Sequence, residues 1–504
     1  MRICLLQSSY DDWPEAPYAQ YDPLASPSHY ISLDAHVFEN RFICKATAKQ
    51  DIKRVVEEKF DVYCNFMWGG ATGPVAGDEE YELLAKTGVF IMIRYPPLSL
   101  LDKLQFNDLC SKDSNLHLPS NTPGKFPKIC KYTDSCSSHN LHDLCHNDKE
   151  VEDKIVWMKS LEPTRDVFTQ DYIFGDECSA MVIELGNGNV IALTPLEYLF
   201  PNTKDTEAFL SFEKKFDGVE QGKVLYGFVT DEPRRSKVQA AAIATFNACR
   251  DGQPGCWASV DIRYERSSGK PYVIEIGNLP VVFYPPRNTL GDDLVVEKTF
   301  PGGQPALFDL MLLSRHQQLG KDSPLTELHG TVEATIDAYD NFTRNTGVTY
   351  NSILDCPYYA HLRDIFLQKF SFEGREVLDL GCGTGCVVCF ETFQFLHPVE
   401  FNATVARMFQ IACKSVSFTI ADLSETTIEK HQREVGFRQF NLMETVRRFG
   451  TPPGWKLLMN EKQVSYISPT TGEENSDLWL HFERDEEWVP TVPKIDFETH
   501  LFVE

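Results

Sequence analysis

No run of apolar residues in this 504-residue chain approaches the length of a membrane span. The longest, such as VFIMI at 89–93, suit a buried strand, whereas a spanning helix needs about 20 apolar residues. The opening MRICLLQSSYDD holds one Arg and four consecutive apolar residues, too few for the apolar centre of a secretory signal. Positive charge is scarce as well: 48 Lys and Arg stand against 73 Asp and Glu, a net charge of −25. That balance disfavours nucleic acid, because phosphate backbones are bound by clustered cations, but it leaves room for a small anionic ligand held by a few local ones. No internal repeat and no low-complexity tract is present. Cysteine is plentiful, with fifteen scattered residues. In a long chain without a signal these read as reduced thiols rather than a disulfide framework, so the expectation is a soluble cytoplasmic protein.

What is present alternates in type. Residues 2–8 (RICLLQS), 61–68 (DVYCNFMW) and 89–93 read as strands, and 47–60 and 77–88 as helices between them, the order of a parallel α/β unit. From about 125 to 280, short apolar runs bounded by turns become frequent: FPKICK, AMVIEL, NVIALTPL, KVLYGFV, WASVDIRY and KPYVIEI. They predict a largely antiparallel sheet, accompanied by a helix over KVQAAAIATFNACR. Residues 315–345 are polar and read as a linker between domains.

Three stretches of the middle region carry chemistry. FPKICK ends a strand on Lys131 and is followed by the polar loop YTDSCSSHN, while Lys103 lies upstream in SLLDKL. Lysines and serine hydroxyls are what a triphosphate requires, cations for its charge and donors for its oxygens. VFTQDYIFGDECSAMV places Gln170 and Glu177 around a turn. VDIRYERSSGKPYVIEIGNLP reads as a hairpin with Asp261 on one strand and Glu275 on the other, and carboxylates on adjacent strands converge well on a hard cation such as Mg²⁺. The cysteines and histidines between Cys130 and His146 are zinc-ligand types, but their spacing fits no established zinc pattern.

As a set these stretches resemble the ATP-grasp superfamily, in its D-alanine–D-alanine ligase-like branch, over residues 1 to 315. SLLDKL resembles that family's Met-Asp-Lys segment, FPKICKYTDSCSSHNL its Pro-x-x-x-Lys strand and Gly-Ser-Ser loop, and QDYIFGDECS its adenine hinge and ribose glutamate. The resemblance implies that Lys103, Lys131, Ser137 and Ser138 bind ATP phosphates, Gln170 and Glu177 the adenine and ribose, and Asp261 and Glu275 Mg²⁺. It also implies that a substrate carboxylate is phosphorylated and then captured by an amine. The chain departs from the family at three positions. Gly277 stands where the family has a metal-binding Asn, with Asn278 one place later. Cys136 replaces the glycine of the cover loop, and Ser259 replaces the Arg that holds a substrate carboxylate, which argues against D-alanine pairs as substrates.

Further on, VLDLGCGTG (377–385) joins a strand to a turn with three glycines, where backbone can approach a ligand. It resembles the first motif of class I S-adenosylmethionine-dependent methyltransferases, which implies cofactor contacts from Asp379, Gly381, Gly383 and Gly385. The acidic residue expected to follow is Asp422, ending SFTIAD. In an alternative register HPVEFNATVARMFQIACK supplies a strand and helix, with Glu400 as the ribose acid. TPPGW (451–455) lacks the Asn of amino-methylating enzymes and reads as a turn.

The expected architecture is therefore α/β and α+β. An N-terminal α/β domain (1–100) leads into an ATP-grasp ATP-binding domain (101–318), a linker (319–345) and a Rossmann-like class I methyltransferase domain (346–504). The expected function is an ATP- and Mg²⁺-dependent carboxylate–amine ligase forming an amide or dipeptide from small molecules, with an S-adenosylmethionine-dependent methyltransferase module in the same pathway. The alternatives are that one module alone is active, or that the chain is a degenerate nucleotide-binding protein.

Overall fold

The computed structural model describes residues 1–11, 24–31, 36–69, 75–93, 102–134, 143–186, 188–201, 203–204, 208–211, 214, 223–250, 252–286, 291–319, 398–422, 451–467, 474–491, 494–496 and 501–503. The chain divides into two units, 1–319 with 489–504, and 320–488.

The first unit opens with a four-stranded parallel sheet in the order β2-β1-β3-β4. Its strands are β1 (Arg2–Ser8), β2 (Val37–Ile43), β3 (Val62–Asn65) and β4 (Ile91–Met92). Helix α1 (Ala48–Glu57) buries Ala48, Ile52 and Val55 at helical spacing. Helix α2 (Asp78–Ala85) carries three acidic residues in its first turn, which suits the positive end of its dipole. The strand–helix alternation expected from sequence is found. Strand β2 has no apolar run to announce it, since it pairs at the sheet edge with most of its residues only partly covered.

Helix α3 (Lys103–Ser111) begins where Asp102 accepts hydrogen bonds from the amides of Leu104 (2.8 Å) and Gln105 (2.7 Å), a helix-capping arrangement. Next come an antiparallel pair, β5 (Lys128–Tyr132) and β6 (Val167–Asp171), and between them helix α4 (Asp148–Leu161). The larger sheet follows: β7 (Gly175–Glu184), β8 (Val190–Ala192), β9 (Leu196–Leu199), β10 (Leu225–Phe228), β11 (Trp257–Glu265) and β12 (Lys270–Gly277). It is antiparallel, in the order β10-β9-β7-β11-β12, and β8 also pairs with β7.

Helix α5 (Arg234–Arg250) covers one face of this sheet. Val238, Ala242 and Phe246 pack on Cys178, Ala180, Val182, Val260, Ile262 and Val273 in a fully enclosed core. Because side chains alternate along a strand, the residues between these face the other way. Helices α6 (Gly291–Thr299) and α7 (Gly303–Leu319) close the unit's main part. Residues 315–319, expected to begin the linker, instead complete α7. Arg315 there donates to the Ile91 carbonyl at 2.9 Å.

In the second unit, helix α8 (Pro398–Ile411) accompanies an antiparallel sheet β13-β15-β14. The strands are β13 (Ser415–Asp422), β14 (Trp455–Ile467) and β15 (Glu474–Arg484). Phe409 packs edge-on to Trp455 and Phe482. Glu400 lies inside α8 and does not end a strand, which removes the alternative register. Residues 451–454 form a turn, as expected, closed by the Trp455 amide on the Pro452 carbonyl at 3.0 Å. Strands β16 (Lys494–Asp496) and β17 (Leu501–Val503), grouped with the first unit, form a hairpin. No helix among the described residues is long and apolar enough to cross a membrane.

Candidate functional site

The site is built on the sheet face opposite α5. Asp261 on β11 pairs with Ser179 on β7, and Arg263 pairs with Glu177. All four therefore point away from the core that holds Cys178, Ala180, Val260 and Ile262. Glu275 should by simple alternation share the side of Val273, which is buried in that core. A register shift after Asp261 prevents this: Asp261 pairs with Glu275 and Ile262 with Val273, leaving Ile274 unpaired between them. Such a bulge re-aims the side chains beyond it, and here it brings the two predicted metal carboxylates onto one face.

Glu275 Oε1 accepts from Lys103 Nζ at 3.0 Å. The Lys103 amide donates to the Thr133 carbonyl at 2.8 Å, so the start of α3 is fastened to the chain just beyond β5. Lys131 on β5 and Gln170 on β6 share one face of their strand pair, since Lys131 registers with Phe168 and Gln170 with Ile129. Removal from water holds the Lys131 ammonium below the usual lysine range. Lys103 pushes in the same direction, while Glu275, Glu177 and Asp261 oppose it. Four of the residues proposed from sequence thus act through space on a fifth, Lys131. Among the described residues Lys131 has no direct ion-pair partner, an arrangement suited to receiving an anion.

Glu177 has a second commitment that the sequence reading missed. Its Oε2 accepts from Arg263 Nη1 (3.0 Å) and from the Leu210 amide (3.0 Å). Its Oε1 accepts no hydrogen bond from any described residue. Arg263, 6% exposed, is itself spent on the carbonyls of Ile173 (2.7 Å) and Gly175 (2.8 Å), the Tyr172 hydroxyl (2.8 Å) and the Ala208 carbonyl. A planar fork of donors suits such multiple anchoring. The contact at Gly175 needs glycine, because a Cβ there would lie 2.0 Å from the Tyr264 carbonyl oxygen. The signal for Arg263 was available: it stands two residues after Asp261 in a strand that alternates polar and apolar residues (WASVDIRYE), and so on the same face.

Tyr198 on β9 registers with Glu177, and its ring meets that of Tyr226 edge-on at 5.9 Å. Burial pushes both phenols above their ordinary range, with Asp292 adding to the effect on each and Asp261 on Tyr198. Gly277 ends β12 opposite Ser259, whose Oγ would be 3.1 Å from a Cβ at that position. Residue 277 therefore faces the site, and among the described residues a Cβ there would meet the Ser259 hydroxyl at 3.1 Å and the Ser259 carbonyl oxygen at 3.8 Å.

Ser137 and Ser138, and Asp379, Gly381, Gly383 and Gly385, lie outside the described residues. Asp422 closes β13. Of the zinc-type residues, Cys130 and Cys145 approach to 3.9 Å between sulfurs, while Cys136, His139 and His142 lie outside the described residues. No group of three metal-ligating side chains occurs among the described residues.

No family model and no curated protein matches the chain. Solved structures do resemble it. The D-alanine–D-alanine ligase of Bacillus anthracis, complexed with ATP, gives a TM-score of 0.43 at 13% identity over 62% of this chain and 97% of that one. The D-alanine–D-alanine ligase of Coxiella burnetii gives 0.43 at 14% identity, over 64% and 96%. An L-amino acid ligase of Bacillus licheniformis gives 0.40 at 13%, over 63% and 75%.

Proposed function

We propose that residues 1–319 form an ATP-grasp ligase that joins a small-molecule carboxylate to an amine at the expense of ATP. The observation that carries this reading is the convergence of Lys103, Lys131, Glu177, Asp261 and Glu275 on one side of an antiparallel sheet, coupled electrostatically. Asp261 and Glu275 lie directly opposite on adjacent strands and offer the hard oxygens that Mg²⁺ prefers, typically one or two carboxylates beside phosphate oxygens. Bound there, Mg²⁺ would supply positive charge next to the transferring phosphoryl group. Lys103 and Lys131 would bind phosphate oxygens, Gln170 the adenine, and Glu177 the ribose through its Oε1.

In this reading the substrate carboxylate oxygen attacks the γ-phosphorus of ATP, and the bond to ADP breaks to leave an acyl phosphate. The amine nitrogen then attacks the acyl carbon, phosphate departs and the nitrogen loses a proton. Both lysines counter the charge that spreads over the phosphoryl oxygens. Ser259, in place of a cation, favours substrates other than paired D-alanines.

For the C-terminal unit the turn VLDLGCGTG supports an S-adenosylmethionine site, with Asp379, Gly381, Gly383, Gly385 and Asp422 contributing and methyl transfer as its chemistry. Two measurements test the two parts separately. Mg²⁺-dependent phosphate release from ATP with pooled amino acids should vanish in Lys131→Ala and persist in Gly383→Arg. Thermal stabilisation by S-adenosylmethionine should show the opposite pattern. Release of no phosphate with any pool would remove the ligase reading, and lack of stabilisation the methyltransferase one.

A further inference from the structure

We infer that Cys130 and Cys145 form an oxidisable dithiol, a modification site at which peroxide closes a disulfide against the phosphate-binding strand and weakens nucleotide binding. The effect on nucleotide rests on the ligase reading above, whereas the cross-link does not.

The two sulfurs lie 3.9 Å apart, though the residues are fifteen positions apart in sequence. Backbone geometry holds them there: Lys128 and Cys145 exchange both amide-to-carbonyl hydrogen bonds at 2.8 Å, an isolated antiparallel bridge. Cys130, two residues along β5 from Lys128, therefore projects to the same side as Cys145. Around them Tyr132 and Met158 complete a small core under α4. Cys130 directly precedes Lys131, the lysine proposed to meet phosphate.

A second thiol pair shows why this one is singled out. Cys110 on α3 and Cys249 on α5 are as close, at 3.8 Å, but sit in the large apolar core, 0% and 1% exposed. Their mutual contact and burial push Cys249 above its ordinary range, and a thiol that stays protonated is a poor nucleophile toward peroxide. At the other pair the contact divides the two thiols: the bond to Cys145 and burial push Cys130 above its ordinary range, while that same bond holds Cys145 below its own despite burial, and Lys154 adds to this, so Cys145 is the thiol that meets peroxide. Cys145 is also 4% exposed and lies beside the polar start of α4.

Cys145 as thiolate attacks one oxygen of hydrogen peroxide. The O–O bond breaks, giving a sulfenic acid and hydroxide, which takes a proton and leaves as water. The Cys130 sulfur then attacks the Cys145 sulfur, passing its proton to the departing oxygen as the S–O bond breaks, and a second water forms. Two thiols and one peroxide become one disulfide and two waters, with both thiol protons in the waters. Bonding at the usual length of about 2.05 Å requires the sulfurs to approach by about 1.9 Å. That displacement falls on the residue next to Lys131.

The test treats the full-length protein with hydrogen peroxide, maps disulfides by non-reducing peptide mass spectrometry, and titrates ATP–Mg²⁺ before and after, with dithiothreitol reversal. The expected result is a Cys130–Cys145 cross-link and ATP affinity weakened roughly tenfold or more, the weight of one charge-assisted hydrogen bond. Cys130→Ala and Cys145→Ala, made separately so that one well-folded variant suffices, should bind ATP like the reduced protein and ignore peroxide. Cys110→Ala should respond as the parent does. Thiols left unlinked, a Cys110–Cys249 cross-link in their place, or a Cys130–Cys145 cross-link with unchanged ATP affinity would each overturn the inference. Failure of the reduced protein to bind ATP would instead strike the ligase reading and the switching role, leaving the cross-link as a separate result.

Discussion

Replacing Lys131 by Met separates binding from stability. The ammonium is held below its usual range by burial and has no direct ion-pair partner among the described residues, so it stands as a cost to the unliganded fold that an arriving anion offsets. Methionine keeps the length of the side chain and removes the charge; Lys131 is half-buried, and the unliganded protein should melt no lower than the parent, as often seen when a charge drawn away from water becomes apolar. Ligand binding should behave in the opposite way. With ATP–Mg²⁺ at about 100 times its dissociation constant, the parent gains about 2.7 kcal/mol. Losing one charge-assisted contact of about 1.5–3 kcal/mol leaves about 0.3–1.3 kcal/mol at the same concentration. For a unit of this size about 2 °C accompanies each kcal/mol, so the shift should fall from about 5 °C to about 1–3 °C. Differential scanning calorimetry with and without nucleotide reads both quantities. A variant that melts several degrees lower yet keeps the full shift would show that Lys131 is structural and that the phosphate assignment is wrong.

Arg263→Met should lower stability by about 3–5 kcal/mol in urea titrations, because it strands the Glu177 carboxylate and several carbonyls; a loss below about 1 kcal/mol would contradict the anchoring role. Asp293, fully buried and bonded to the amides of Phe283 and Tyr284, has its carboxyl raised to about 7, chiefly by burial. Its folded-state value exceeds the unfolded one of about 3.9. The native state therefore binds the extra proton between these values, and stability falls as pH rises from about 4 to 7. Asp293→Asn should flatten that part of the stability–pH curve, and an unchanged slope would refute the assignment. Gly277→Asn, with only the Ser259 hydroxyl to shift at 3.1 Å, should lower the Mg²⁺ concentration needed for half-maximal ATP-dependent stabilisation; a weakened Mg²⁺ dependence would place residue 277 outside the metal site.

Much of the first unit was legible because its elements carry their own signals. β1, β3 and the second half of β7 each hold a short apolar run, α1 shows helical spacing, and the Asp261–Glu275 hairpin is bounded by a turn. Strand β2 was not legible, since an edge strand with partly covered side chains needs no apolar run. Nor was the bulge at Ile274, which alone aligns Glu275 with Asp261: register arises from pairing, and one sequence shows only one partner at a time. Nor was the role of Arg263, because its partners come from segments 55 to 91 residues away. In the second unit the described sheet is antiparallel, whereas the motif at 377–385 leads one to expect parallel strands around it.

The most direct measurement of the central claim follows oxygen. A carboxylate substrate carrying a heavy-oxygen label, supplied with ATP, Mg²⁺ and an amine, should deliver one labelled oxygen into the released phosphate while forming the amide. Asp261→Asn should abolish both. Amide or phosphate formed with the label wholly retained by the carboxylate or its product would contradict attack on the γ-phosphorus, and with it the ligase account.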